Sequence, residues 1–267
     1  MPLGLGKPVA LIDALYLRVS NDPALSLTIL TALSLERPRE RDPIRGRLLN
    51  PVFDRLYANY CEPLYLRDER SGKVPANIKL CEFYFKAGSR IGHSDAQQNY
   101  ISSNYTHAAR DVVAQGCNVV IQLLAREGGS LSMSCNPDTS AEVVARLQQS
   151  GRDYVAIGVV HPDLPFMYCD AEVDPAQFDF LLNTASAKPG LFQVPRLPPI
   201  PDTDYAIGLR ASALIRDGGT LQLGIGAMGD AIVQSVLVRH QNNADYRELL
   251  ARFGVDRHNA ALVDAIG

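Results

Sequence analysis

Two glycine-rich turns carry the residue types and spacing in this 267-residue sequence that could do chemistry. Gly224-x-Gly226-x-x-Gly229 stands between an apolar run and an amphipathic stretch, and Gly4-Leu5-Gly6-Lys7 opens the chain in a similar way. Glycine lets backbone approach a ligand closely, and a helix starting there offers N–H groups and the positive end of its dipole to an anion. The later turn matches the dinucleotide fingerprint, which also asks for an acidic residue about 20 positions further on, at the end of the next strand. Asp245 and Glu248 fall instead in Ala244 to Phe253, which reads as an exposed helix, and Asp230 would repel a pyrophosphate. The three glycines therefore read either as a tight turn without ligand or as a site for NAD.

Other reactive side chains have plain readings beside the chemical ones. Cys135 is a nucleophile or, with no identifiable histidine partner, a bystander thiol. His93-Ser94-Asp95 holds the residue types of a catalytic triad, but a triad is assembled in space, and a polar loop accounts for three neighbours. Lys7 is either a phosphate contact or an exposed lysine at a helix start. Asn136-Pro137-Asp138 reads as a turn and helix cap. Asn104-Tyr105-Thr106 matches a glycosylation acceptor, although nothing marks the protein as secreted. The cysteines at 61, 81, 117, 135 and 169 form no C-x-x-C pair, and the five histidines form no H-E-x-x-H, so neither disulfides nor a metal site are expected.

The elements that must position these residues alternate. After a strand end at Pro2 to Leu5, Pro8 opens a helix carrying Val9, Leu11, Ile12, Leu15 and Val19 at helical spacing. Leu25 to Leu35 reads as a strand, Arg39 to Arg47 as a charged turn, and Asn50-Pro51 as the start of a helix reaching Tyr60. Residues 76–87 fit helix or strand equally. A helix from Tyr105 to Gln115, strands at Cys117 to Leu124 and Ser130 to Ser134, a helix from Thr139 to Gln149 and a strand from Tyr154 to Val160 follow. Such alternation predicts an α/β protein with a mostly parallel sheet flanked by helices. The prolines of residues 194–204 make a connector, which divides the chain into 1–193 and 205–267. Past it come a helix from Asp204 with Ile207, Ala211, Leu214 and Ile215 on one face, a strand from Thr220 to Leu223, and a helix from Asp230 to His240.

Composition narrows the class. The chain is 46% hydrophobic and 21% charged, enough apolar content for a packed core. Its net charge of −3 lacks the basic surplus of a nucleic-acid binder. No apolar run nears the roughly 18 residues of a membrane span, and the N-terminus has no signal-peptide pattern, so a cytoplasmic protein is expected.

The segment Leu209 to Val233 (LRASALIRDGGTLQLGIGAMGDAIV) resembles a junction of the acetyl-CoA hydrolase and CoA-transferase family, which includes the 4-hydroxybutyrate CoA-transferases. There a helix ending in D-G-x-T-L-Q precedes G-I-G-A and a helix opening with D-A. Leu25 to Leu35, Ser130 to Thr139 and His161 to Asp170 fall in the order of that family's strand-end segments. The similarity of Leu3-Gly4-Leu5-Gly6-Lys7 to Leu223-Gly224-Ile225-Gly226-Ala227 fits a fold of two related α/β halves with the site between them.

The resemblance implies thioester chemistry. A glutamate carboxylate attacks the acyl-CoA carbonyl to give an anhydride, CoA thiolate returns to form a glutamyl-CoA thioester, and water or a second carboxylate resolves it. Coenzyme A is then a substrate, with no tightly bound cofactor, and the partners are acyl-CoA and a carboxylate acceptor or water. Gly224, Ile225, Gly226 and Ala227 would line the thioester carbonyl as oxyanion donors. Because ligands gather at strand carboxyl ends, Gly4, Gly6, Lys7, Ser34, Ser134 and Asn136 join the expected site. The family's catalytic glutamate sits in an S-E-M-like segment after the Gly-rich helix, and no such segment occurs here; Glu248 reads as a solvated helix residue. The expectation is a first half and an incomplete second half, inactive alone, whose apolar surface at Ile225, Ile232 and Val236 would drive self-association. The rival readings are an NAD-binding Rossmann oxidoreductase and a non-catalytic α/β scaffold.

Overall fold

The computed structural model describes residues 6–183, 191, 199–255, 257 and 260–261, in two compact units, Met1–Gln193 and Val194–Gly267. The expected strand at Pro2 to Leu5, with Gly4, and most of the proline-rich connector lie outside the described residues.

In the first unit, helix α1 (Val9–Ser20) follows Pro8 as expected and buries Ile12, Tyr16 and Val19. That stripe packs on Ile29, Tyr65, Leu66 and Ile78. Strand β1 (Leu27–Thr31) pairs in parallel with β2 (Ile78–Glu82), which resolves the ambiguous 76–87 stretch as strand. Between them lie α2 (Pro43–Leu56) and α3 (Leu64–Ser71). Helix α2 begins at Pro43 and not at Asn50-Pro51. Asp42 takes the cap role, accepting hydrogen bonds from the N–H groups of Ile44 and Arg45 at 3.0 and 2.8 Å. The Asn50 amide instead folds back onto the Glu40 backbone, accepting from its N–H at 3.0 Å and donating to its carbonyl at 3.1 Å.

A second sheet has the order β6-β4-β3-β5-β7. Strands β3 (Val119–Glu127), β5 (Val155–Val160) and β7 (Phe180–Asn183) pair in parallel, while β4 (Ser130–Ser132) pairs antiparallel with β3 on one side and with β6 (Glu172–Val173) on the other. The expectation of a mostly parallel sheet is corrected here: the protein is α/β, but this sheet is mixed. The Gly128-Gly129 turn returns the chain at once into β4, and a two-residue link can only join antiparallel neighbours. Helices α4 (Ser94–Gln98), α5 (Ala108–Ala114) and α6 (Asp138–Ser150) complete the unit. One core joins the two sheets, with Leu30, Cys81 and Phe83 packed among Ala109, Val112, Val120, Val144 and Leu147.

The second unit is helical. Helices α7 (Asp202–Ser212), α8 (Ala227–Gln241) and α9 (Asn243–Arg252) enclose Leu209, Ala213, Tyr246 and Leu250. The buried face of α7 is Gly208, Leu209 and Ser212, one step round from the expected Ile207 face, and Ile207 is exposed. Close approach sets this choice: a Cβ on Gly208 would lie 2.7 Å from the backbone of Ala231 in α8. Arg239 of α8 closes the end of α7, donating to the Ile215 carbonyl at 2.6 Å and pairing with Asp217 at 2.8 Å. The expected strand Thr220 to Leu223 is corrected as well, because it has no sheet partner among the described residues and forms no strand. Leu221 and Leu223 are exposed.

Candidate active site

The sequence-derived residues of the first unit meet where the chain leaves β1, β2 and β4. Gly6 abuts Asn136 so closely that a Cβ there would lie 2.9 Å from the Asn136 side chain. Gln122, fully buried in β3, donates to the Leu123 carbonyl at 3.1 Å and the Asn136 carbonyl at 3.4 Å, and its side-chain oxygen has no partner among the described residues. Lys7 is not at the surface. Its ammonium is buried and donates to the carbonyl of Ala32 at 2.7 Å. Ser34 hydrogen-bonds Tyr65 at 2.8 Å and donates to the Glu82 carboxylate. Ser134 is buried with φ 58° and donates to the Pro165 carbonyl at 2.7 Å, which fastens the 161–170 segment to the loop after β4. Cys135 is exposed beside Asn136, at 3.7 Å.

Burial governs the electrostatics of this cluster. Desolvation lowers the Lys7 pKa to about 8, against the opposing pull of the Glu82 charge. Desolvation likewise pushes the Glu82 carboxyl above its usual range, opposed by the Ser34 hydrogen bond and by Lys7. The Tyr65 hydroxyl is pushed well up by burial and by Glu82. Leu33, just after β1, holds a left-handed backbone, φ 44°, and so turns the chain toward Ser34.

A charged layer continues outward from the cluster. Arg90, buried, bonds Glu36 and pairs with Glu69 at 2.9 Å, while its Nε has no acceptor among the described residues. Arg70 grips Glu62 with two hydrogen bonds of 2.6 Å and reaches Glu36 at 3.4 Å. Glu82, Tyr65 and this Arg–Glu layer went unnoticed in the sequence. The available signal was the stretch Ile78-Lys79-Leu80-Cys81-Glu82-Phe83, in which a carboxylate stands between two apolar residues near the end of a β-like segment.

In the second unit, the Gly224–Ala227 turn stands open. A Cβ on Gly224 or Gly226 would meet nothing within 4 Å, and Ile225 is fully exposed. The N–H groups of Ile225 and Gly226 donate to no backbone acceptor among the described residues. Gly229 has a structural reason: a Cβ there would strike the Gly224 carbonyl at 2.3 Å. Glu248 is an exposed helix residue paired with Arg252 at 2.5 Å. Among the described residues no group of histidine, cysteine or acidic side chains could hold a metal ion, and no helix is long and apolar enough to cross a membrane.

Neither a protein-family model nor a curated protein matches the sequence. Solved structures do. RipA from Yersinia pestis superposes with a TM-score of 0.52 at 19% identity, over 89% of this chain and 49% of RipA. A single-residue variant of RipA gives 0.53 at 18% identity, over 89% and 48%. The chain has a CoA-transferase-like fold. It spans about half the length of the RipA structures it matches. A 4-hydroxybutyrate CoA-transferase from Porphyromonas gingivalis, at 18% identity over 60% of this chain and 40% of that one, has a TM-score of only 0.38 and carries no weight.

Proposed function

We propose that this chain contributes to acyl-CoA thioester chemistry, as part of a CoA-transferase or an acyl-CoA hydrolase that works through a glutamyl-CoA intermediate. The observation that carries the reading is the open Gly224–Ala227 turn, where the N–H groups of Ile225 and Gly226 donate to no backbone acceptor among the described residues, in a chain of CoA-transferase-like fold. A carboxylate is a weak nucleophile, and its attack on a thioester needs donors already placed for the oxyanion. Such donors need no side chain, which suits two glycines flanking an exposed Ile225.

The nucleophilic glutamate is unassigned. Glu248 is solvated and ion-paired, and Glu82 is buried beneath Ser34 with its charge disfavoured. Attack by a glutamate would expel CoA thiolate and leave an acyl-glutamyl anhydride. The thiolate would then take the glutamyl carbonyl and release the acyl group as carboxylate. Water would regenerate the glutamate and free CoA, whereas a second carboxylate would leave as a new thioester. Lys7, with its ammonium turned onto backbone carbonyls, has a supporting place under Ser34 in this scheme.

Thermal-shift titration tests the reading. Coenzyme A is expected to raise the melting temperature and NAD to leave it unchanged, and Gly226→Val, which puts a side chain over the open face of the turn at a φ of 146°, should abolish the shift. Stabilisation by NAD alone, or by neither molecule, would overturn it. The dinucleotide alternative loses its structural basis because residues 220–223 form no strand before the turn.

A further inference from the structure

The first unit contains an open cleft of about 1270 Å³ beyond the ends of β1 and β2, walled by residues 33–41 and 84–90. Its charges do not balance. Of the carboxylates lining it, Glu36 is held by Arg90 and Arg70, Asp54 by Arg37 at 2.6 Å, Glu40 by Arg45 at 3.7 Å, and Glu82 lies against Ser34. Arg39, Arg41 and Lys86 also line the cleft, are exposed, and have no salt bridge among the described residues. Three cations without a salt-bridge partner among the described residues thus face one space whose own acidic groups are already engaged, with Arg39 feeling the Glu62 charge from a distance.

An aromatic surface lies beside them. Phe85 is stacked on Tyr100 at 5.4 Å and covered by the Arg90 guanidinium at 5.3 Å. The neighbouring Tyr84 ring is 53% exposed in the cleft wall and has no ring partner among the described residues. Guanidinium groups bind phosphate oxygens in pairs, and an exposed tyrosine offers a face on which a flat heterocycle stacks. The volume exceeds what a small dicarboxylate or a lone phosphate would fill.

We propose that this cleft binds a nucleoside diphosphate, with its phosphates on Arg39, Arg41 and Lys86 and its base against Tyr84. The ligand is a free nucleotide or the nucleotide end of coenzyme A, which share this chemistry. The site does not depend on the thioester reading, because ADP has neither thiol nor acyl group and is the probe.

Calorimetric titration of the whole chain with ADP is expected to show saturable binding that weakens as salt is raised. The double variant Arg39→Glu/Arg41→Glu should weaken it by roughly tenfold or more and flatten the salt dependence. Both residues are exposed, so circular dichroism should show an unchanged fold. Tyr84→Ala should weaken ADP severalfold while leaving pyrophosphate unaffected. Coenzyme A binding more tightly than ADP assigns the site to the coenzyme, and the reverse assigns it to a free nucleotide; either supports the proposal. No ADP binding at about 1 mM, equal binding to wild type and double variant, or equal competition by succinate would overturn it. Failure with ADP leaves the thermal-shift result on NAD and the Gly226 turn untouched.

Discussion

Lys7 and Glu82 form the part of the site most sensitive to acidity. Burial makes the folded protein hold the Lys7 proton less tightly than the unfolded chain does. Unfolding therefore takes up a proton between about pH 8 and the ordinary lysine range, and folded stability rises across that window. Urea unfolding from pH 7.5 to 10 is expected to show a rise on the order of a few kcal/mol in wild type that Lys7→Met lacks. Glu82→Gln removes the anion that holds the Lys7 pKa up, so the rise should begin at lower pH; NMR titration of the lysine side chain reads this directly. At the neighbouring contact, Gly6→Ala should cost about 1–3 kcal/mol by forcing Asn136 aside, and Asn136→Gly should restore most of the loss. Of these residues, Ser34 and Asn136 follow observed strands as the sequence suggested, whereas the strand expected ahead of Gly6 and Lys7 lies outside the described residues. The inward turn of Lys7 and its proximity to Glu82 were not, because those two are brought together only by the pairing of β1 with β2.

At the scale of elements, local rules succeeded where one signal stood alone. Pro8 before α1 and the alternation from residue 105 to 160 gave helices and strands close to those observed. They failed where two signals competed. Asn50-Pro51 has the form of a helix start, yet Asp42-Pro43 has the same form eight residues earlier, and the earlier cap leaves Pro51 inside α2. The strands on either side of Gly128-Gly129 were expected, but their antiparallel sense follows from the short link between them, which the alternation of elements did not weigh. Helix α7 shows a third case: periodicity marked Ile207, whereas the need for close contact with α8 selected Gly208. Gly208→Ala is accordingly expected to destabilise the second unit by about 1–3 kcal/mol, through separation of α7 from α8, while Ile207→Ala should change little. Proteolysis of the second unit under mild denaturant distinguishes the two variants.

For the whole molecule, the notable surface is apolar. Leu221, Leu223 and Ile225 are exposed on a segment without a strand partner among the described residues, and Val233 and Leu237 are exposed on α8. Such a surface favours self-association. Sedimentation velocity should show a concentration-dependent shift in wild type that Leu223→Lys/Ile225→Lys suppresses, and a monomer at all concentrations would refute this. The Leu209–Val233 stretch suggested a CoA-transferase-like fold, but it forms helix, open loop and helix without the expected strand, and the fold itself rests on the likeness to RipA over 89% of the chain.

The paired arginines and glutamates beneath the cleft differ from the exposed Arg39, Arg41 and Lys86 at its rim in how they meet dissolved ions. Arg90 and Glu69 are largely hidden from water, whereas Arg39 and Arg41 stand in it. Mobile counterions shield the outer layer and scarcely reach the inner one. Raising ionic strength should consequently strip an anionic visitor from the rim while the wall behind it keeps its shape, so capture and scaffolding at this place are separately adjustable.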